Sequence, residues 1–269
     1  MTWWYAALLG LVQGLTEFIP VSSDGHLSAA EMLLPGFTQV GVLFDVMTHL
    51  GTLVAVLVFF RKFLRDEARA LLSGDPNMRR RAWELVGWLA LATVPTGLIG
   101  IFLRGFVERA KRDADFVGAM EIATGALLAV SFLARRDGRD REGMRRSDAL
   151  LIGAAQGLAV LPGLSRSAST IAVGLMLGLG GRWAATFSFL LVIPAILGAA
   201  GLEIFSAWQE RGAAFFGGPE FPRYVLGALV AGAVGYATIG WMIRLASTRR
   251  IHAFAIYCVL FGLALIVLL

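Results

Sequence analysis

Residues 16–27 read TEFIPVSSDGHL, and the fold of the chain turns on them. The chain has 269 residues, is 57% apolar and has a mean hydropathy of +0.72. Yet near its N-terminus, where a first membrane span would begin, it gathers Glu17, Ser22, Ser23, Asp24 and His26 around a proline and a glycine. Irregular polar backbone is tolerated at membrane depth only where it is buried in protein or lines a water-filled cavity. The segment 5–35 therefore reads as a re-entrant hairpin of two half-helices, not as a span.

Outward from that stretch, six apolar runs are long enough to cross a hydrocarbon core of about 30 Å as helices. They are 41–60, 83–103, 116–134, 186–205, 225–243 and 252–269. A second segment, 148–181, repeats the broken pattern around LPGLSRSAST. The stretches 61–81 and 135–146 are charged and read as solvated loops. The fold class expected is all-α integral membrane, with six transmembrane helices and two re-entrant hairpins. The first residues lack a basic n-region and a small-residue cleavage site, so they are expected to belong to the fold.

The chain also repeats itself. Gln13 recurs as Gln156, Ser22 as Ser165 and Phe44 as Phe187, all at an offset of 143. The same offset aligns a hairpin followed by three spans in each half, 1–134 and 148–269, with 135–147 as linker. Three crossings per half make the second half inverted relative to the first, an arrangement that places a binding site between the repeats. Sidedness follows from charge. One side receives seven basic residues in 61–81, six in 135–147, three in 244–251 and Arg182, seventeen in all; the other receives six. Positive charge belongs inside, which puts the linker in the cytoplasm and both termini outside. The net charge of +5 thus reports orientation and not nucleic-acid binding. A single cysteine, Cys258, excludes an internal disulfide and sits in an apolar setting that suits packing, not redox chemistry.

The two breaks carry the candidate chemistry. Ser22, Ser23 and Asp24 offer caps for one half-helix and Ser165 or Ser167 for the other. Two helix starts meeting from opposite faces would aim free N–H groups and positive dipole ends at one spot, an anion site. Arg166 belongs to that spot, because a guanidinium is costly inside a membrane without an anionic partner and grips phosphate oxygens in pairs. Gln13 and Glu17, four apart, share a helix face. Glu17 is suited to hold a divalent cation, to act as a base or to orient His26. Ser23 or Ser22 is the candidate nucleophile and His26 the candidate proton handler. Asp45, Thr48, His49 and Thr52 form a polar stripe on the first span, suited to supporting the site or to hydrogen bonding between helices. Glu121 and Glu203 receive no role.

The blocks QGLTEFIPVSSDGHL, FDVMTHLGTLVAVLVFF and LPGLSRSAST resemble the undecaprenyl-pyrophosphate phosphatases of bacterial membranes over essentially the full length. The family's marks fall on Gln13 and Glu17, on Ser22, Ser23, Gly25 and His26, and on Pro162, Gly163, Ser165, Arg166, Ser167 and Thr170. The resemblance implies hydrolysis of undecaprenyl pyrophosphate to undecaprenyl phosphate, recycling the lipid carrier of cell-wall synthesis. It assigns catalysis to Ser23, His26, Glu17 and Arg166. Phosphate binding would involve Ser22, Gly163, Ser165, Arg166, Ser167 and Thr170. It also implies a divalent cation, Mg2+ or Ca2+, with Glu17 and Gln13 as candidate ligands, although Gln13 leaves this helix one carboxylate short of a pair. The expected partners are the pyrophosphate lipid and the bacterial plasma membrane, with no nucleic acid and a homodimer as the candidate assembly. The competing reading is an inverted-repeat transporter or flippase of an anionic lipid, which would use Arg166 and the helix starts but not Ser23 beside His26.

Overall fold

The computed structural model describes residues 1–34, 42–134, 138–212 and 218–268. The first residue of the expected span 41–60, the last of 252–269, and Arg135 and Arg136 of the linker lie outside the described residues. Among the described residues the regular elements are all helices, one of them a three-residue 3-10 turn at Arg141–Gly143, and the only bridge is an isolated one between Arg139 and Leu179. The helices are α1 Trp3–Thr16, α2 Ser23–Leu33, α3 Val42–Phe59, α4 Arg61–Leu71, α5 Pro76–Ala110 and α6 Ala114–Ser131. They continue as α7 Arg146–Leu158, α8 Arg166–Met176, α9 Gly181–Arg211, α10 Phe221–Ser247 and α11 Ala253–Leu268.

Four helices are long and apolar enough to cross a membrane on their own: Pro76–Ala110, Ala114–Ser131, Gly181–Gln209 and Phe221–Ser247. A fifth is counted if α3 and α4, bent by 68° where they meet, are taken together; α11 is apolar but shorter. Each of the two polar stretches interrupts a helix pair, α1 with α2 and α7 with α8.

Helix α5 is longer than its apolar run because Asp75 accepts the Asn77 N–H and Pro76 opens the helix, starting it in the charged stretch. The reading of 61–81 as loop is corrected: 61–71 is helical. Phe63 and Leu64 pack on the core, while the linker's Arg141 binds the Glu67 carboxylate and lies 5.9 Å over the Phe63 ring. Those contacts hold an amphipathic helix that the density of charge had concealed. Two residues before Arg141 the linker is anchored again, since Arg139 donates to Asp148, 2.8 Å, and to the Leu177 carbonyl, 2.7 Å.

Small residues let the helices meet backbone to backbone. Helix α1 lies on α10, where a Cβ on Gly10 would fall 2.5 Å from the Gly227 carbonyl oxygen. Helix α7 lies on α5, where a Cβ on Gly153 would fall 2.1 Å from that of Ala92. Gly10 and Gly153 are 143 apart, so the sequence repeat reappears as a repeat of helix contacts. The main core is built on α8 and α9, whose Ala168, Ile171, Leu175, Phe187, Phe189, Leu190 and Leu191 are all buried.

Candidate active site

Each break is made by backbone that a regular helix cannot accept. Ser22 has φ 60°, unusual for a residue with a side chain, and its hydroxyl accepts the Gly25 N–H to cap α2. Gly163 has φ 91°, and Ser165 caps α8 by accepting the Ala168 N–H at 3.2 Å. The two breaks touch: Ser167 Oγ donates to the Ile19 carbonyl at 3.1 Å, and a Cβ on Gly25 would lie 3.5 Å from the Gly163 Cα.

Their first helical residues converge on one carboxylate. Glu17 Oε2 accepts from Ser23 Oγ and from Gln13 Nε2, both at 2.8 Å, while Glu17 Oε1 accepts from Arg166 Nη2. Glu17 is 6% exposed and Gln13 fully buried, so the pair with Arg166 is shielded from solvent, which strengthens it and makes it costly to break. Arg166 Nη1 is also buried and has no hydrogen-bond partner among the described residues. A buried guanidinium donor left unmatched at a helix N-terminus is suited to receiving an oxygen of an anion.

The other expected phosphate binders are engaged elsewhere. Ser165 and Ser167 serve the cap and the contact between breaks, and Thr170 Oγ1 pairs with Ser188 Oγ at 2.5 Å and with the Arg166 carbonyl at 2.9 Å. Gly163 presents its carbonyl to Thr124 Oγ1, 3.1 Å, which also accepts the Ser165 N–H at 2.9 Å. Thr124 escaped the sequence reading; its only signal was a hydroxyl three residues beyond Glu121 in a mostly apolar span.

His26 and Ser23 share no hydrogen bond among the described residues. The His26 Nδ1–H donates to the Ser22 carbonyl, 2.8 Å, its Nε2 pairs with the Tyr257 hydroxyl, 2.7 Å, and its ring stacks on Phe261 at 4.1 Å. Glu121, fully buried, touches the same turn: a Cβ on Gly25 would come within 2.6 Å of its Oε1. The histidine nearest the Glu17 carboxylate is His49, whose Nε2 is 3.7 Å from Oε2. Thr48 and Thr52 donate to carbonyls of their own helix. Asp45 and Asp24 line a cavity of about 230 Å³ with Glu31 and Lys111. Lys111, just beyond α5, is held above the ordinary lysine range, chiefly by the Asp24 carboxylate.

A divalent cation is poorly matched by these residues. Hard cations take several oxygen ligands, but both oxygens of Glu17 already receive donors, one of them a guanidinium. Gln13 Oε1 is an acceptor there without a partner, and no group of three or more His, Cys, Asp or Glu among the described residues is placed to hold a metal.

Against known proteins, residues 6–264 match the family model described as bacitracin resistance protein BacA. An undecaprenyl-diphosphatase of Syntrophotalea carbinolica is 43% identical over 264 residues, covering 97% of each chain. Another from Paenarthrobacter aurescens is 39% identical over all of this chain and 98% of its own. A third, from Carboxydothermus hydrogenoformans, is 39% identical over 98% of this chain and 96% of its own. With the fold, the paired helix breaks and the full-length match in agreement, the chain belongs to the BacA family.

Proposed function

We propose that this chain is an integral-membrane undecaprenyl-diphosphatase working through Ser23, Glu17 and Arg166. It hydrolyses undecaprenyl pyrophosphate to undecaprenyl phosphate and phosphate. The observation that carries the site assignment is the shared carboxylate: Glu17 receives Ser23 from the start of α2 and Arg166 from the start of α8. Arg166 Nη1 and the helix N-termini bind the terminal phosphoryl group and stabilise charge as it develops. Ser23 Oγ attacks the terminal phosphorus and its proton passes to Glu17 Oε2. The bond to the bridging oxygen breaks, and its electron pair leaves with the lipid phosphate. A carrier would have no use for a serine hydroxyl held 2.8 Å from a carboxylate. A divalent cation enters this reading as a companion of the pyrophosphate, whose oxygens offer the ligands the chain does not.

The membrane arrangement proposed is six spans with the α1–α2 and α7–α8 pairs as re-entrant hairpins of two inverted repeats, 1–134 and 148–269, and both termini outside. What supports it is the charge asymmetry together with the repeated contacts of α1 on α10 and α7 on α5. In a Cys258→Ser background, Gly74→Cys and Pro219→Cys test it. An impermeant thiol reagent on intact cells should label only Pro219→Cys; labelling of Gly74→Cys reverses the orientation, and labelling of both defeats the arrangement. The activity is tested by phosphate release from undecaprenyl pyrophosphate by the purified protein, with and without chelator. Release that persists in Ser23→Ala would remove Ser23 from its role.

A further inference from the structure

Of the two histidines near the breaks, one is fully engaged and one is not. His26 uses both ring nitrogens and stacks on Phe261. His49 uses one: Nδ1–H donates to the Asp45 carbonyl at 2.8 Å, so the neutral ring carries its lone pair on Nε2. That Nε2 makes no hydrogen bond among the described residues and lies 3.7 Å from Glu17 Oε2, the oxygen that holds Ser23. The His49 side chain is 27% exposed against 4% for Glu17, so it is the one of the two open to water. Its helix neighbours do not compete for that place, because Thr48 and Thr52 are buried and turn their hydroxyls onto α3.

We propose that His49 is the base of the second half of the reaction, taking the proton from the water that releases the phosphoryl group from Ser23. The inference rests on Ser23 as nucleophile. In the first half, the Ser23 oxygen–phosphorus bond forms, the bridging bond breaks and the serine proton goes to Glu17. In the second, the water oxygen bonds to phosphorus while the bond to Ser23 breaks. The water proton goes to His49 Nε2, and the proton on Glu17 returns to Ser23 Oγ. His49 then gives its proton to bulk water, and both groups are restored. Dividing the two transfers between two groups explains why a carboxylate that already holds three donors has beside it an imidazole whose Nε2 makes no hydrogen bond among the described residues.

The test uses the purified full chain with undecaprenyl pyrophosphate radiolabelled in the terminal phosphate, quenched in acid. His49→Ala and His49→Gln should each lower steady-state turnover about a hundredfold. Both should still release about one lipid monophosphate per enzyme in a first turnover and retain label on protein. His49→Gln keeps the volume of the side chain, so a folding defect in His49→Ala leaves the test standing. Wild-type turnover in either variant overturns the proposal, as does a loss of turnover with no protein-bound label. Ser23→Ala separates the two readings. If it is inactive while the His49 variants behave as wild type, only the role of His49 falls; if it turns over, the nucleophile falls and this inference with it.

Discussion

At the break between α1 and α2 the residue that turns the chain is Ser22, at φ 60°; between α7 and α8 it is Gly163, at φ 91°. Beyond the turn the two helices differ in where they lie. Eight of the eleven residues of α8 are buried, against three of α2. Ser, Ala, Thr and Gly let α8 pass through the core, whereas Asp24, His26 and Glu31 keep α2 at the rim. The repeat aligns Ser22 with Ser165, each a cap, and then sets Ser23 against Arg166 and Glu17 against Val160. In the mechanism proposed, the two helix starts would bind the anion, and the positions where the repeats diverge would carry the chemistry. On that reading the second break supplies charge from a more buried helix, and the first supplies nucleophile and base from a more open edge.

That contrast is most sharply broken at the first residues of the two helices. Ser23→Ala should lower phosphate release by about three orders of magnitude or more while the protein stays folded. Arg166→Lys should lose about a hundredfold or more although charge survives, because a point ammonium does not reproduce a two-oxygen grip. Near-normal release from either would dissolve the division of labour.

The turns themselves should separate by stability. A Cβ on Gly163 would lie 2.2 Å from the Val117 carbonyl oxygen at a φ that disfavours side chains. Gly163→Ala should therefore destabilise the protein by about 3 kcal/mol. Ser22→Ala loses one cap hydrogen bond, about 1 kcal/mol. Thermal unfolding in the same detergent compares them, and equal shifts would mean that the second break is no more tightly built than the first.

The smallest effect concerns His26. With its nitrogens held by Ser22 and Tyr257, it braces the turn before Ser23. His26→Ala should lower turnover by about tenfold, and Tyr257→Phe, which deletes only the hydroxyl, by less. A thousandfold loss in His26→Ala with Tyr257→Phe unchanged would return His26 to the proton-handling role.

Much of the molecule was legible from local pattern. Each of the six apolar runs forms a helix over most of its length, both polar stretches are helix breaks, and Gln13, Glu17, Ser23 and Arg166 could be named as candidates before any geometry was known. Hydropathy marks spans because a bilayer rewards continuous apolar helix, and Ser, Pro and Gly mark breaks because they cap, stop or turn a chain. The helix at 61–71 was hidden because its stabilising partner, Arg141, lies seventy-four residues from Glu67.

The sequence by itself determined the apolar helices, the breaks and the set of polar candidates for the site. Tertiary structure decided which of them meet. Sequence proximity joined His26 to Ser23, three residues away, but the turn at Ser22 carries the His26 ring to Tyr257 and Phe261 on α11. Packing brings Arg166 of α8 and His49 of α3 to the Ser23–Glu17 pair instead. The reason is physical. Helix and break are set by interactions within a few residues, whereas the neighbours of one buried carboxylate are set by how close glycine-lined helices can approach, and that depends on every contact in the bundle at once.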